Sequence, residues 1–213
     1  MDQELFPRGN AAVPLSPGAV LLPGLARTSA GAMWSAVRRV AARAPFRRVS
    51  TPGGRPLSVS MTNCGSFGWV SDRRGYRYEP TDPSTGKAWP PLPSELERFA
   101  SAAAEKAGFP QFTPDACLIN EYVPGAKMSL HVDRDEKDFS QPIVSVSLGL
   151  PAIFLWGGAA RSERPRRVAL EDGDVVVWGG PARLHYHGVA AVKPGRHPRW
   201  GGRRINLTFR RAA

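Results

Sequence analysis

Hydrophobic and polar residues alternate in short runs along the second half of the chain. Such alternation, interrupted by Gly, Pro and Asp, is typical of β-strands joined by turns. We predict strands at residues 116–122, 143–150, 152–156, 168–170, 175–178, 184–189 and 203–210. Many short strands at regular spacing favour a sandwich or a barrel.

Two stretches in the first half repeat their apolar residues at helical spacing instead. One runs from about residue 28 to residue 43, and the other runs from a capping box of Ser94 and Glu97 to Gly108. Residues 19–23 form a candidate first strand. This order predicts a mainly β fold of the α+β class, a jelly roll with two helices packed outside it.

The chain of 213 residues is long enough for one sizeable domain and short for two. We expect residues 1–15 to form a flexible N-terminal arm and residues 16–213 to form a single domain. Residues 46–92 are dense in turn signals, aromatic residues and Arg. Bases stack on aromatic rings and Arg binds phosphates, so this region favours nucleic-acid contact. The alternative is that its aromatic residues cover an edge of the core.

The net charge of +11, from 29 Lys and Arg against 18 Asp and Glu, also attracts polyanions such as nucleic acid. A bias in base composition could explain part of this charge, because most of the basic residues are Arg. Cys64 and Cys117 are too far apart for a Cys-x-x-Cys motif, so we expect free thiols in a reducing compartment. The acidic start and the absence of a run of 18 apolar residues predict a cytoplasmic protein without a membrane segment.

His131 and Asp133 carry the clearest chemical signal. In an extended strand, residues i and i+2 face the same side, so the imidazole and the carboxylate would lie together. They would supply two ligands of the 2-His-1-carboxylate site that holds Fe(II). With 4 His and 18 acidic residues in the chain, such a motif arises by chance about one time in three. A third ligand must come from His185, His187 or His197; His197 lies in a loop, and spacing does not decide between the other two.

The last predicted strand has one apolar face and one polar face. Its apolar residues Ile205, Leu207 and Phe209 alternate with Arg204, Asn206, Thr208 and Arg210. If the polar face lines the interior, its guanidinium groups need anionic partners. Arg204 and Arg210 could then bracket a small dicarboxylate, with neutral donors from Asn120 and Tyr122.

These motifs together resemble the AlkB family of Fe(II)/2-oxoglutarate-dependent dioxygenases, which repair alkylated DNA. The resemblance rests on Asn120-x-Tyr122, His131-x-Asp133-x-Asp135, residues 142–154, residues 173–180, His187-Gly188 and Arg204-x-Asn206-x-Thr208-x-Arg210. It implies a double-stranded β-helix (jelly roll) with two supporting N-terminal helices. It also implies that residues 46–92 form a nucleotide-recognition lid.

The resemblance further implies roles for individual residues. The iron ligands would be His131, Asp133 and His187. The 2-oxoglutarate contacts would be Asn120, Tyr122, Arg204, Asn206 and Arg210, and Arg210 would also belong to the catalytic set with the three iron ligands. The nucleotide contacts would be Trp69, Tyr76, Arg77, Tyr78, Asp135 and Arg161.

The implied reaction is oxidative demethylation of 1-methyladenine and 3-methylcytosine with O2, releasing formaldehyde, succinate and CO2. The implied partner is single-stranded or damaged double-stranded DNA, with RNA as a second candidate, and the enzyme would act as a monomer. Two positions depart from the family pattern, Val132 in place of Gln and His185 in place of an aromatic residue, so lesion preference stays open. Two other functions also stay open: the same site acting on methylated RNA or a protein side chain, and a basic β-barrel that binds nucleic acid without turnover.

Overall fold

Two antiparallel sheets and a separate hairpin make up the β-structure of this computed structural model, which describes Gly9 and residues 11–213. The strands are β1 (Val13–Ser16), β2 (Ala19–Leu22), β3 (Arg47–Ser50), β4 (Pro56–Gly65), β5 (Gly68–Asp72), β6 (Gly75–Glu79), β7 (Ala116–Tyr122), β8 (Met128–His131), β9 (Ile143–Gly149), β10 (Ala152–Trp156), β11 (Arg166–Leu170), β12 (Val175–Trp178), β13 (His187–Val189) and β14 (Arg204–Arg210). The helices are α1 (Ala30–Arg43) and α2 (Ser94–Lys106), with a short 3-10 turn at Gly180–Ala182.

The large sheet has the strand order β1-β2-β12-β9-β14-β7-β4-β3, and the small sheet has the order β11-β10-β13-β8. Non-consecutive neighbours in both sheets mean that the chain crosses repeatedly between them, as in a jelly roll. The predicted fold class is therefore confirmed. The hairpin β5–β6 forms its own two-stranded sheet.

The outer face of the large sheet packs against both helices. Met33 and Val37 of α1 and Leu96 of α2 join Leu207 and Phe209 of β14 in one buried cluster. Each of these side chains contributes about 1.5–3 kcal/mol by leaving water. The alternating pattern of β14 thus places its apolar residues under the helices and its polar residues on the inner face.

The inner face of the large sheet packs against the small sheet. A second cluster contains Met61 and Leu118 from the large sheet and Phe154 and Val189 from the small sheet. Polar residues of β7 and β14 interrupt this apolar layer and line a cavity between the sheets. The site described below lies there.

Several local predictions differ from the structure. The Ser94–Glu97 capping box does not form, because Ser94 is already helical and the N-cap is Pro93, without a side-chain hydrogen bond. The strand predicted at 184–189 begins only at His187. Strand β1 was not predicted, and it pairs with β2.

The expected arm and residues 46–92 both contain residues of the large sheet. Residues 1–8 and 10 of the expected arm lie outside the described residues, and the arm's boundary at residue 15 falls inside β1. Within 46–92, strands β3 and β4 extend the large sheet, because β4 pairs with β7 and β3 pairs with β4 at the edge. The separate unit in that region is the β5–β6 hairpin. Among the described residues, no helix has the length and apolar character needed to cross a membrane.

Candidate metal and nucleotide site

Strands β8 and β13 bring two histidines side by side. His131 and His187 are register partners in this antiparallel pair, and their ring centroids are 4.4 Å apart. Gly188 permits the close approach, because a Cβ at this position would lie 2.7 Å from the backbone oxygen of Met128. Of the histidines that spacing left open, the structure therefore places His187 beside His131.

Asp133 completes a cluster with these two histidines. One ligand atom from each of the three residues lies within 4.8 Å of the others. The Nε2 atom of His131 is 3.6 Å from Oδ1 of Asp133, and the Nε2 atom of His187 is 3.6 Å from Oδ2. Two imidazoles and one carboxylate in this arrangement match the set that holds Fe(II) and leaves coordination positions open.

Backbone carbonyls orient both imidazole rings. Nδ1 of His131 is 2.8 Å from the oxygen of Ser129, and Nδ1 of His187 is 3.1 Å from the oxygen of His185. When Nδ1 donates its proton to a carbonyl, the Nε2 lone pair is left for a metal, as is usual for metal-binding histidines. Both rings are thus prepared in the required tautomer.

The protonation states of this cluster also suit a cation. Burial, together with repulsion from His131, lowers the pKa of His187 to about 4, so His187 is neutral at pH 7. Burial alone would raise the pKa of Asp133, but the charge of Arg210, the two histidines and the hydrogen bond from Arg210 together outweigh burial and lower the pKa below its usual range. Metal binding requires a neutral imidazole and an ionised carboxylate, and both are present at neutral pH.

A second group of polar atoms lies on β7, β9 and β14 of the large sheet. Arg204 is 1% exposed, and its Nε and Nη1 atoms have no hydrogen-bond partner among the described residues. Asn120 Oδ1 and Ser147 Oγ are likewise buried without a partner. A buried guanidinium without a carboxylate is costly, so this cradle fits an acidic ligand such as 2-oxoglutarate.

The two arginines of β14 have different surroundings. Arg210 donates to Oδ2 of Asp133 from Nε at 3.1 Å and from Nη2 at 2.6 Å. Arg204 instead lies with its guanidinium carbon 5.7 Å from the centroid of the Tyr122 ring. Arg210 is therefore paired with a carboxylate of the protein, whereas Arg204 has two nitrogens without a hydrogen-bond partner among the described residues. That the two arginines bracket a dicarboxylate stays a prediction.

A cavity of about 730 Å³ joins the triad, the Arg204 cradle and the hairpin. Trp69 and Tyr76 stack at its mouth with ring centroids 5.5 Å apart and planes at 15°. The indole Nε1 of Trp69 donates to Oδ2 of Asp135 at 2.8 Å. Four of the six predicted nucleotide contacts therefore line this cavity: Trp69, Tyr76, Asp135 and the exposed Arg161.

The other two predicted nucleotide contacts, Arg77 and Tyr78, do not line the cavity. Arg77 pairs with Asp72 at 2.9 Å and with Glu79 at 2.6 Å, both within its own hairpin. The hydroxyl of Tyr78 donates to Glu136 at 2.9 Å. Their contact with a nucleotide stays a prediction.

Two buried charged residues near the triad were not predicted. Glu136 is 6% exposed and Arg183 is 3% exposed, and they are joined at 3.1 Å. Both occur in polar, turn-rich segments, so the sequence pattern indicates solvent exposure for each of them. The His185 ring lies outside the triad and contacts Trp156 in a tilted arrangement, with centroids 5.5 Å apart and planes at 35°.

Comparison with known proteins agrees with this geometry. The model of the 2OG-Fe(II) oxygenase superfamily matches residues 18–210. The alpha-ketoglutarate-dependent dioxygenase AlkB of Escherichia coli (strain K12) is 53% identical over 199 residues, which are 93% of this chain and 92% of that protein. The tRNA demethylase abh1 of Schizosaccharomyces pombe is 34% identical over 58% of this chain and 41% of its own length. The solved structure of OsALKBH1 has a TM-score of 0.82 and 29% identity, covering 94% of this chain and all of that one.

Proposed function

Since the chain belongs to the 2OG-Fe(II) oxygenase superfamily, we propose that its cavity binds Fe(II) and 2-oxoglutarate and demethylates N-alkylated bases in nucleic acid. The observation that carries this proposal is the cluster of His131, Asp133 and His187 beside the unpartnered guanidinium of Arg204. Bound Fe(II) would supply the redox chemistry that couples O2 and 2-oxoglutarate to oxidation of an N-methyl group, giving formaldehyde, succinate and CO2.

The protein's own residues bind and orient the reactants. His131, Asp133 and His187 would hold the iron, while Arg204 would pair with a carboxylate of 2-oxoglutarate in a planar fork. The remaining contacts proposed for 2-oxoglutarate are Asn120, Tyr122, Asn206 and Arg210. Burial raises the pKa of Tyr122 to about 12, so its hydroxyl stays a hydrogen-bond donor.

The hairpin side of the cavity suits a flipped, positively charged base. Trp69 and Tyr76 offer aromatic faces for stacking. The methylated bases 1-methyladenine and 3-methylcytosine are cationic, so the carboxylate of Asp135 attracts them. A base must leave the stack to reach the cavity, and this costs least in single strands or at damaged pairs.

We further propose that the enzyme acts as a monomer in the cytoplasm. Every residue assigned to the site comes from one chain, so no second copy is needed to complete it. Cys64 and Cys117 are register partners on β4 and β7, yet both are free. Free thiols in such proximity fit a reducing compartment.

The test is formaldehyde and succinate release from a single-stranded oligonucleotide that contains 3-methylcytosine, with and without Fe(II). We expect release that depends on Fe(II) and 2-oxoglutarate, and none from His131→Ala. Iron-dependent release by His131→Ala would refute the metal site, and salt-sensitive binding without turnover would favour a simple binding protein.

RNA is a second candidate substrate, because a relative is a tRNA demethylase. A matched panel of methylated DNA, RNA and peptide would separate the alternatives. A higher kcat/KM for DNA than for RNA supports DNA repair, and the reverse order supports RNA demethylation. Turnover of the peptide alone would refute both.

A further inference from the structure

A chain of side-chain contacts joins the β5–β6 hairpin to Asp133. The hydroxyl of Tyr78 on β6 donates to Oε1 of Glu136 at 2.9 Å. The Nε atom of Arg210 lies 3.2 Å from the same oxygen. Because Arg210 also donates to Oδ2 of Asp133, displacement of Tyr78 would release one of the groups that hold Arg210 against Asp133.

Arg183 holds the second carboxylate oxygen of Glu136. It donates to Oε2 of Glu136 at 3.1 Å, to the backbone oxygen of Asp133 at 2.9 Å and to that of Gln141 at 3.0 Å. Both oxygens of Glu136 are therefore engaged, and its side chain is only 2% exposed. With Arg210, the group contains two guanidinium ions and two carboxylates, so its charges balance inside the protein.

The hairpin that carries Tyr78 is itself docked on the large sheet. The side-chain amide of Asn63 on β4 donates to the oxygen of Trp69 and accepts from its nitrogen, both at 3.0 Å. Ser71 donates to the backbone oxygen of Ser50 on β3 at 2.6 Å. These bonds fix the position from which the Tyr78 hydroxyl reaches Glu136, so the hairpin and the iron ligand belong to one connected structure.

We propose that Tyr78 and Glu136 are positioning residues for Asp133, so that the docked hairpin stabilises the metal site. Residues that hydrogen-bond a metal ligand fix its orientation and contribute to metal affinity. Here Arg210 contacts the proposed metal ligand Asp133 directly. Glu136 orients Arg210, and Tyr78 orients Glu136. The inference rests on the proposed function of the triad, but it assigns Tyr78 to the metal site rather than to the nucleotide.

The test uses Tyr78→Phe, which removes the hydroxyl and keeps the ring. We expect the Kd for Mn(II), measured by titration calorimetry with 2-oxoglutarate and without nucleic acid, to rise about threefold to tenfold; this is less than the effect of losing a direct partner of a ligand. The matched control is Tyr76→Phe on the same strand, because the Tyr76 hydroxyl has no hydrogen bond within the described part of the chain. Its Kd for Mn(II) should equal that of the unaltered protein.

Two further readouts separate positioning from nucleotide contact and from general loss of stability. Positioning predicts a lower kcat with an unchanged KM for the 3-methylcytosine oligonucleotide, and a shifted Co(II) absorption spectrum in Tyr78→Phe. An unchanged Kd for Mn(II) overturns the inference, and a raised KM for the oligonucleotide would then make Tyr78 a nucleotide contact. If the unaltered protein binds Mn(II) but releases no formaldehyde, the proposed function fails while the Mn(II) comparison still decides the role of Tyr78.

Discussion

His131 and His187 are register partners on neighbouring antiparallel strands, with ring centroids 4.4 Å apart. Their separation is therefore set by the spacing of β8 and β13 rather than by loop conformation. A metal site built in this way depends on how closely two backbones can approach. The first prediction follows from that dependence.

Gly188→Ala should weaken both metal binding and folding. The added Cβ would lie 2.7 Å from the backbone oxygen of Met128, so β13 must move away from β8. We expect a loss of about 1–3 kcal/mol in the free energy of unfolding and at least about a tenfold rise in the Kd for Mn(II). Gly31→Ala in α1, where the nearest atom is 4.0 Å away, is the control and should not weaken either. Denaturant unfolding and calorimetry measure the two effects, and an unchanged Kd for Mn(II) in Gly188→Ala would contradict the prediction.

Arg204→Met should abolish 2-oxoglutarate binding without weakening the ligand-free protein. The guanidinium is buried, and two of its nitrogens have no hydrogen-bond partner among the described residues, so an apolar chain removes a buried charge with unsatisfied donors. In the unaltered protein, saturating 2-oxoglutarate should raise Tm, because it binds only the folded state; Arg204→Met should show no such rise. Arg203→Met, next to it but paired with Glu121 at the surface, should keep the rise. A normal ligand-induced Tm shift in Arg204→Met would contradict the assignment.

Tyr122 should make the protein sensitive to alkali. Burial raises its folded-state pKa to about 12 from the usual 10.0, so the folded protein retains the phenolic proton where the unfolded chain loses it. The stabilisation is complete below pH 10 and is lost as the pH rises to 12, in total on the order of 3 kcal/mol. Tyr122→Phe should reduce this loss, and Tyr76→Phe, at a tyrosine that is 46% exposed, should not. Urea unfolding from pH 9 to pH 12 measures the free energy of unfolding. An equal loss of this free energy in the unaltered protein, Tyr122→Phe and Tyr76→Phe would count against the prediction.

Asp135→Asn should reduce the preference for cationic bases. The amide oxygen can still accept the hydrogen bond from Trp69, so the substitution removes mainly the charge. We expect kcat/KM for 3-methylcytosine to fall about tenfold relative to that for the neutral 3-methylthymine, an electrostatic effect of ~1.4 kcal/mol. Asp138→Asn, at a carboxylate farther along the same loop, is the control. An equal fall for both bases would indicate a positional role instead.

The sequence predicted those parts of the site that repeat a strand pattern. The alternation in β14 correctly separated the face that carries Arg204 from the face that carries Phe209. The expectation that Asp133 lies beside His131 is also met, although β8 ends at His131 and Asp133 follows it in a loop. Spacing could not separate His185 from His187, because both would lie on one face of the predicted strand, whereas the observed strand begins only at His187.

Glu136 and Arg183 could not be predicted from local pattern. Their burial depends on a contact across 47 residues, and each charge becomes acceptable in the interior only when the other is present. The capping box fails for a local reason, because Pro93 is the N-cap and α2 begins at Ser94, one residue earlier than the motif requires.

The independent backbone pairing of the β5–β6 hairpin has a consequence for engineering substrate range. Its strands hydrogen-bond to each other and belong to neither the large nor the small sheet. Exposed residues of the hairpin can therefore be substituted without changing the strand pairing of the jelly roll. A library aimed at new nucleobases can vary Tyr76 and the Arg73–Arg74 turn while keeping Asn63 and Tyr78 constant. Such a library would change the surface presented to the base and retain the contacts by which the hairpin is fastened.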